Sequence, residues 1–400
     1  MLVSWATWAA APGDVTVSFG LSADSLTTTV YGARSVGTYS QLQFYDPQSL
    51  LQPTLPEVAA ARNAASAQLI CQQLATPTYQ GGKPASCGSG SLPKSPTFGV
   101  ASNPDNIYSS PVLVSSLLQN LQPGRRHWYR IGGDATVRNF TMPPPQADQR
   151  GAFPMAIALM ADVGQTVVSE AVLARAAADE DVRLVLLAGD WSYADGYGAR
   201  WDVFGRLLEP LASRTPVMGC AGNHELERGE SFAPFIARYP VPWVASKSAS
   251  PLDYAFVAGP AQVLVLNAYA GAAGVQRQAT WLRGALMRVD RRKTPWLIAV
   301  FHTAWYSSNT NKLYTRAGEV LRWSVEQLLY EAGVDIVVSG HIHSYERSYP
   351  VLNRTLDACG PVHLNVGDAR RVASCACVLL AWLLSSATSR AALAARMAGP

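Results

Sequence analysis

The sequence predicts a two-domain protein, with an all-β sandwich followed by an α/β domain that contains a buried sheet. Residues 1–141 alternate apolar and polar positions in short runs rich in Thr, Val and aromatic residues, which is typical of half-buried strands. After residue 155 the apolar runs become continuous and alternate with helical stretches, which is typical of strands covered on both faces. The Pro-rich segment 142–154 predicts a linker. We therefore expect domains at residues 1–145 and 150–368.

Individual elements follow from these patterns. The strand-like segments of the first region are MLVSWATW, DVTVSFGLS, TTTVYGA, SQLQFY, SPVLVSSL and RHWYRIGG. Residues 50–110 are irregular, and their low-complexity part predicts a surface excursion. The apolar runs of the second region are MAIALMAD, VRLVLLAGD, VLVLNAY, PWLIAVFH and VDIVVSGH. The helical stretches between them are TVVSEAVLARAAADE, WDVFGRLLEPLAS, RQATWLRGALMRV and EVLRWSVEQLLYEAG.

Composition and charge narrow the range of possible partners. The 400 residues are 48% hydrophobic and 15% charged, which is enough apolar content for a sizeable core. The net charge of +4 comes entirely from four arginines after residue 369, namely Arg370, Arg371, Arg390 and Arg396. The rest of the chain is neutral, so no basic field points to nucleic acid.

Several features bear on the cellular compartment. No signal peptide is visible, and a chain that begins within a strand is expected to continue upstream. Cys71 and Cys87 flank a Gly/Ser/Pro-rich segment and could close a loop in an oxidising compartment, or they could be two separate thiols. Asn139 and Asn353 begin glycosylation acceptor triplets. Together these features favour a secreted glycoprotein.

The C-terminal segment 369–400 differs from the preceding domain. Residues 372–389 contain no charged side chain, but the run is slightly shorter than the ~20 apolar residues of a confident membrane span. The segment could be a partner-facing or membrane-associated helix, a weak tail anchor, or sequence from a misread exon boundary. We favour the last explanation.

Metal-ligand side chains follow four of the predicted strands and a fifth apolar run, which ends in MGCAGNHE. Ligands bind at the carboxyl ends of strands in α/β sheets, so we expect these side chains to line one crevice. One Asp after a strand is usually a helix cap, and one His is usually a satisfied polar group. Five such sites together indicate metal binding instead. The residues concerned are Asp162, Asp190, Tyr193, Asn223, His224, His302, His341 and His343.

The ligand chemistry of these residues divides into two kinds. Asp and Tyr are hard anionic donors that suit a trivalent ion, whereas His and the Asn carbonyl suit a divalent ion such as zinc, manganese or ferrous iron. A central carboxylate can bridge two ions. The set therefore predicts a two-metal site with ions ~3.5–4 Å apart, of the kind that activates water against a phosphate ester.

Five motifs in this region, ADVG, GDWSY, GNHE, VFHT and GHIH, resemble in order and approximate spacing those of purple acid phosphatases, the plant-type binuclear metallophosphoesterases. GNHE alone would indicate only the wider superfamily, and the tyrosine in GDWSY is the discriminating residue. The segment LQPGRRHWYRIGG resembles the end of that family's fibronectin-III-like domain. The resemblance covers residues 1–368. It implies a fibronectin-III-like N-terminal sandwich and a four-layer α/β/β/α metallophosphoesterase domain.

The resemblance also implies a role for each residue. Ferric iron would be bound by Asp162, Tyr193 and His343, and the divalent ion, Zn²⁺, Mn²⁺ or Fe²⁺, by Asn223, His302 and His341. Asp190 would bridge the ions, while Asn223 and His224 would contact the substrate phosphate. The implied activity is that of an acid phosphatase, which hydrolyses phosphate monoesters with a metal-activated hydroxide.

Two departures from the family pattern are evident. The loop SSNTNKLYTRAGE lacks the histidines that reach the leaving group in plant members, and Asn311 and Lys312 stand about where they would fall. Lys312 could contact a phosphate oxygen or be a solvated loop charge. After residue 368 the family-like sequence gives way to the segment 369–400, which predicts a truncated or aberrant C-terminus and a less stable fold.

Other functions remain open at this point. A related metallophosphodiesterase or nucleotide pyrophosphatase would use the same metal pair, and an inactive truncated isoform would retain the ligands without turnover. The resemblance implies a secreted (extracellular) or vacuolar protein that acts on phosphate esters and that can form a homodimer.

Overall fold

The structure of this chain is a computed structural model. It describes residues 1–7, 16–31, 35–42, 107–227, 230–310 and 318–369, together with the backbone of 379–381. Three features singled out in the sequence lie outside these residues: the segment between Cys71 and Cys87, the loop pair Asn311 and Lys312, and most of the uncharged run 372–389.

The N-terminal region is built from short antiparallel strands. They are β1 (Leu2–Thr7), β2 (Thr16–Gly20), β3 (Thr28–Tyr31), β4 (Ser35–Gly37), β5 (Ser40–Leu42), β6 (Ile107–Ser109), β7 (Val112–Leu117), β8 (Arg126–Ile131) and β9 (Arg138–Thr141). One sheet has the order β1-β7-β4, another has β3-β2-β8-β9, and β5 pairs with β6. Val17, Phe19, Tyr129 and Phe140 of the second sheet form an apolar cluster against which Trp5 of β1 packs. The two larger sheets therefore share one core.

The C-terminal region alternates strands and helices. Its strands are β10 (Ala156–Met160), β11 (Val182–Ala188), β12 (Val217–Cys220), β13 (Tyr254–Ala258), β14 (Ala261–Val265), β15 (Trp296–Thr303), β16 (Ile336–Gly340), β17 (Tyr345–Arg347), β18 (Val351–Leu352), β19 (Thr355–Leu356), β20 (Val362–Val366) and β21 (Leu379–Ala381). Its helices are α1 (Val167–Ala178), α2 (Ala199–Ala212), α3 (Ala233–Arg238), α4 (Gly271–Leu286) and α5 (Glu319–Glu331).

These elements form two packed sheets covered by helices. One sheet has the order β12-β11-β10-β21 and the other β13-β14-β15-β16-β20-β17. One apolar cluster joins the facing sides of the two sheets, and it includes Leu159, Leu186, Val300 and Val338. A second cluster lies between the first sheet and helices α1 and α2, and a third between the second sheet and helices α4 and α5. The layers are therefore helix, sheet, sheet, helix.

The strand directions explain why the predicted ligands meet. Strands β10, β11 and β12 pair in parallel, and so do β14, β15, β16 and β20. Parallel strands in one sheet end at the same edge. Both sheets bring these edges to one side of the domain, where the turns after β10, β11, β12, β15 and β16 carry the candidate ligands.

The predicted apolar runs and helices in this region correspond to observed elements, with some differences. Helix α4 begins at Gly271, six residues before the predicted stretch. These first residues were not predicted as helical because they lack an amphipathic pattern. The strands β13 and β20 and the helix α3 were not predicted. The short strands β17 to β19 were also not predicted, since elements of two or three residues carry no periodic signal. In the C-terminal tail, the backbone of β21 pairs antiparallel with β10. Among the helices described, none is long and apolar enough to cross a membrane.

Polar side chains connect the N-terminal strands to the C-terminal region. The Arg238 guanidinium donates to Asp202 at 2.7 Å and to the hydroxyls of Tyr108 at 2.7 Å and Tyr39 at 2.9 Å. Gln41 donates to the buried carboxylate of Glu230 at 3.2 Å. Tyr39, Gln41 and Tyr108 come from the first region, so the two regions share buried hydrogen bonds.

Candidate metal centre

The turns that carry the candidate ligands have unusual backbone conformations. Asp162, Asp190, Tyr193 and His341 have φ angles of 55°, 51°, 50° and 71°. Residues other than glycine rarely adopt this left-handed region, and such strain is typically found at functional sites. Each turn leaves its strand sharply and directs its side chain toward the same space. The strain is therefore associated with the positions that the sequence predicts as ligands.

Backbone contacts hold these turns against one another. The amides of Asp162 and Val163 donate to the carbonyls of Gly189 and Asp190, both at 3.1 Å. The His341 amide donates to Asp162 Oδ2 at 2.8 Å. Three ligand-bearing turns, after β10, β11 and β16, are thus joined by hydrogen bonds.

Close packing at Gly340 and Gly222 brings two carboxylates near the backbone. A Cβ atom at Gly340 would lie 2.4 Å from Asp162 Oδ2, and one at Gly222 would lie 2.0 Å from Asp190 Oδ1. Both distances are too short for any side chain to be accommodated without displacing the carboxylate. Glycine is therefore required at these positions by the approach of the aspartates.

The first group of candidate ligands consists of Asp162, Tyr193 and His343. The Tyr193 hydroxyl lies 3.1 Å from Asp162 Oδ1 and 2.9 Å from His343 Nε2. His343 Nε2 lies 3.3 Å from the same Asp162 oxygen. Two hard oxygen donors and one imidazole nitrogen therefore converge, which is a donor set suited to a ferric ion.

The second group consists of Asp190, His302 and His341. Their ligand atoms all lie within 4.8 Å of one another. His302 Nε2 is 3.1 Å from Asp190 Oδ2 and 4.0 Å from Asp162 Oδ1, so this group adjoins the first. Burial alone would raise the pKa of Asp190, but the nearby His302 and His224 outweigh burial and lower that pKa. Burial and the neighbouring His302 lower the pKa of His341 to about 4, which keeps its imidazole neutral as a metal ligand must be.

The tautomer of His302 shows that this group fits a cation. Its Nδ1 lies 2.8 Å from the Ala188 carbonyl oxygen and must donate to it. In a neutral His302 the lone pair of Nε2 would therefore face Asp190 Oδ2 at 3.1 Å, and no hydrogen-bond donor reaches this buried atom from the described residues. Burial opposes protonation, yet Asp190 and Asp162 raise the pKa of His302 to about 10. The carboxylates thus favour a positive charge here, and a metal ion supplies one without a proton.

Asn223 and His224 occupy a short 3₁₀ turn at Asn223–Glu225, directly after β12. The His224 amide donates to Asp190 Oδ1 at 2.9 Å, and its Nε2 lies 3.9 Å from Asp190 Oδ2. The Tyr269 hydroxyl donates to the amide oxygen of Asn223 at 3.3 Å. The structure therefore brings all eight predicted residues into one region, where the side chains of His224 and His343 are partly exposed, at 21% and 29%.

Two carboxylates that support the site were not predicted from the sequence. Asp195 accepts a hydrogen bond from Nδ1 of His224, which leaves Nε2 facing the site. Burial lowers the pKa of His224, but Asp190 and Asp195 outweigh it and raise the pKa to about 9. Asp195 is an acid in the same loop as Tyr193, but nothing in its spacing indicates a histidine 29 residues away.

Glu225 is the second of these carboxylates. It is fully buried and accepts from the backbone amides of Asp190, Trp191 and Gly222 at 2.8 to 2.9 Å. It therefore ties the turn after β11 to the turn after β12. Its position in the motif GNHE was the signal that could have identified it. An acidic residue beside a predicted ligand either binds the metal or orients a residue that binds the metal.

Comparisons with known proteins agree with this geometry. Residues 155–345 match the family described as calcineurin-like phosphoesterase. The chain is 41% identical over 267 residues to purple acid phosphatase 21 of Arabidopsis thaliana, a match that covers 66% of this chain and 59% of that protein. It is 36% identical over 283 residues to phosphoenolpyruvate phosphatase of Allium cepa, covering 65% and 58% respectively. The chain thus spans about three fifths of the length of these relatives.

A solved structure of a purple acid phosphatase from yellow lupin seeds (Lupinus luteus) has a similar fold. The TM-score is 0.63, the sequences are 21% identical, and the match covers 92% of this chain and 62% of that one. Residues 155–345 therefore resemble calcineurin-like phosphoesterases in sequence, and the chain resembles the lupin enzyme in fold. Within this class, the chain is a homologue of the purple acid phosphatases, so the resemblance recognised in its motifs is confirmed.

Proposed function

We propose that this protein is an acid phosphatase that hydrolyses phosphate monoesters at a binuclear metal centre. The observation that carries this proposal is the pair of adjoining donor groups, Asp162–Tyr193–His343 and Asp190–His302–His341. The first would hold ferric iron and the second, with Asn223, a divalent ion, while Asp190 bridges them. When bound, such a pair activates water and neutralises charge that develops on the phosphoryl oxygens.

His224 is the residue best placed to contact the substrate. Asp195 accepts from its Nδ1, and because Asp190 and Asp195 outweigh burial and raise the pKa of His224 to about 9, Nε2 is protonated as well and can donate to a phosphate oxygen. The same nitrogen can pass a proton to the leaving oxygen, which is the general-acid role that the loop histidines of plant relatives would otherwise fill.

The substrate class follows from the site and from one relative. Asp162, Asp190, Tyr193 and His302 are buried, whereas His341 and His343 are partly exposed, so a phosphoryl group would approach from the side of these two histidines. A terminal phosphate can enter such a site more readily than an internal diester. The onion relative is named a phosphoenolpyruvate phosphatase, and we extend monoester hydrolysis, but no particular ester, to this chain.

The remaining features fit a secreted or vacuolar protein with an accessory domain. Asn353 is exposed in the turn between β18 and β19, and Asn139 is half-buried on β9, so the first is the better glycosylation acceptor. We propose that the N-terminal strands, with boundaries near residues 1–145, form a fibronectin-III-like sandwich ahead of a catalytic domain at 150–368.

Metal analysis, a visible spectrum and turnover test this function together. We expect iron and a second metal in the purified protein, a visible tyrosinate-to-iron band that Tyr193→Phe abolishes, and hydrolysis of an aryl phosphate monoester at acidic pH that Asp190→Ala abolishes. A diester assayed in parallel would be cleaved much more slowly. A folded protein with no iron and no turnover would contradict the proposal and support the inactive isoform.

A further inference from the structure

We propose that Asn365, a residue of β20 that is not among the predicted ligands, is a positioning residue that holds the loop 341–344 in the shape that presents His343. This inference rests on the proposed metal centre for its functional consequence. Asn365 is buried, with 2% of its surface exposed, and pairs in register with Ser339 of β16 and Glu346 of β17. It therefore lies beneath the turn that follows β16.

The contacts of Asn365 are concentrated on this loop. Its Nδ2 donates to the carbonyl oxygen of Ile342 at 2.8 Å and to that of Ser344 at 2.7 Å. These are the residues on either side of His343, so the peptide groups that flank this histidine are both held by one side-chain amide. The Ser344 amide also donates to the Ile342 carbonyl at 2.7 Å, which closes a tight turn around His343.

The orientation of the Asn365 amide is determined by its partners. Both partners are carbonyl oxygens and can only accept, so the NH₂ group must face them and the oxygen must face away. Oδ1 is buried without a hydrogen bond in the described part of the chain. A buried polar atom left unsatisfied costs free energy. The two hydrogen bonds that Nδ2 donates offset this cost and make asparagine favourable at this position.

The C-terminal end of β20 also contacts the turn that carries Asp162, another member of the first group of candidate ligands. The Ala161 amide donates to the Val366 carbonyl at 3.1 Å, and a Cβ atom at Gly367 would lie 2.7 Å from Asp162 Oδ2. β20 thus supports both the turn that carries Asp162 and, through Asn365, the turn that carries His343. The distance of 3.3 Å between these two ligands depends on this shared support.

The two histidines of the motif GHIH are consequently held by different means. The backbone of His341 is fixed by its own amide, which donates to Asp162. His343 receives its support from Asn365 through its neighbours. Loss of the Asn365 amide should therefore weaken the site at Asp162–Tyr193–His343 more than the site at Asp190–His302–His341.

The test compares Asn365→Leu, which keeps the side chain's size and branching but removes both donors, with His363→Leu as a matched control. His363 is buried two residues earlier on the same strand, and its ring nitrogens make no hydrogen bond among the described residues. In metal-free protein, we expect Asn365→Leu to speed hydrogen exchange of the Ser344 amide about tenfold or more, and His363→Leu to leave it unchanged.

Metal binding provides the second readout. By chelator competition, we expect Asn365→Leu to weaken iron binding about 10- to 100-fold, with loss of the visible band, and to weaken the divalent ion less. Unchanged Ser344 exchange in Asn365→Leu, or equal effects in the control, would overturn the inference. If the unaltered protein bound no iron, the proposed function would fail while the exchange comparison still decided the role of Asn365.

Discussion

At the scale of single residues, four of the eight candidate ligands have left-handed backbone conformations. Positive φ angles at Asp162, Asp190, Tyr193 and His341 each cost about 1–3 kcal/mol, and they persist because surrounding hydrogen bonds determine them. The fully buried Glu225 is one source of this support, since it binds the amides of Asp190 and Trp191. Such strain is common at functional sites, and in this chain it also occurs at turns outside the site, such as Asn120 and Lys247.

The contact between Asp195 and His224 leads to a prediction about turnover. Asp195→Asn keeps the shape of the side chain but removes the charge that holds His224, so we expect kcat to fall about 10- to 100-fold with both metals retained. Steady-state kinetics and metal analysis check this. His224→Ala should lose at least as much activity, and the double variant should lose no more than His224→Ala alone. Loss of metal from Asp195→Asn would show that the residue serves the fold.

The buried histidine of β20 leads to a prediction about acid stability. Burial lowers the pKa of His363 to about 3, whereas an unfolded histidine titrates near 6.5. Between about pH 6.5 and 3 the unfolded chain therefore binds more protons, and the free energy of unfolding decreases as the pH falls.

We expect His363→Leu to reduce this pH dependence by up to about 1.4 kcal/mol per pH unit in that window. Denaturant unfolding of the metal-free protein at several pH values measures it. Parallel stability curves for the variant and the unaltered protein would contradict the burial of a neutral imidazole at this position.

At the scale of elements, the site depends on how closely strand-end turns approach one another. The turns after β11 and β12 meet where Gly222 faces Asp190, and Glu225 binds amides of both turns. The fit of these turns therefore depends on glycine and on one buried carboxylate, neither of which binds metal itself.

This packing predicts a steric effect of one methyl group. Gly222 has an extended backbone that alanine can adopt, so Gly222→Ala acts only through its Cβ, which would lie 2.0 Å from Asp190 Oδ1. We expect metal affinity to fall about 10- to 100-fold, measured by chelator competition. Gly205→Ala is the control, because Gly205 lies within α2 with open space around it and should gain about 0.5–1 kcal/mol of stability. Full metal affinity in Gly222→Ala would contradict the assignment of Asp190.

At the scale of the whole molecule, a buried polar cluster connects the N-terminal strands to the α/β region. Arg238 and Asp202 form an ion pair at 2.7 Å, and Tyr108 donates to Asp202 while accepting from Arg238. A partly buried pair of this kind is costly to break, because the remaining partner keeps an uncompensated charge.

We therefore expect Arg238→Leu to destabilise the protein by roughly 3–5 kcal/mol, measured by denaturant unfolding. Arg126→Leu is the matched control, because Arg126 also connects the two regions but pairs with Glu180 at 3.9 Å on the exposed surface. An exposed pair contributes about 0–1 kcal/mol. Equal losses in both variants would show that burial of the Arg238 cluster is unimportant.

Much of this organisation could be predicted from local patterns. Continuous apolar runs identified β10, β11, β14, β15 and β16 because strands covered on both faces need apolar side chains throughout. Four of these runs, those of β10, β11, β15 and β16, located turns that carry ligands, and the motif GNHE located the turn after β12. Helix α4 was predicted too short, and the strands β13 and β17 to β20 were missed, since they have no clear periodic pattern of their own.

The sequence by itself determined which residue types stand at the strand ends, and thereby the prediction of a two-metal site that resembles that of the purple acid phosphatases. The motif resemblance had already implied how they group, but only the tertiary structure decided their contacts, since Tyr193 and His343 are 150 residues apart and the His341 amide and Asp162 are 179 apart. It also revealed the supporting roles of Asp195, Glu225 and Asn365. Such contacts depend on which turns the packed sheets bring together, and a single chain carries no local signal for a hydrogen bond between distant turns.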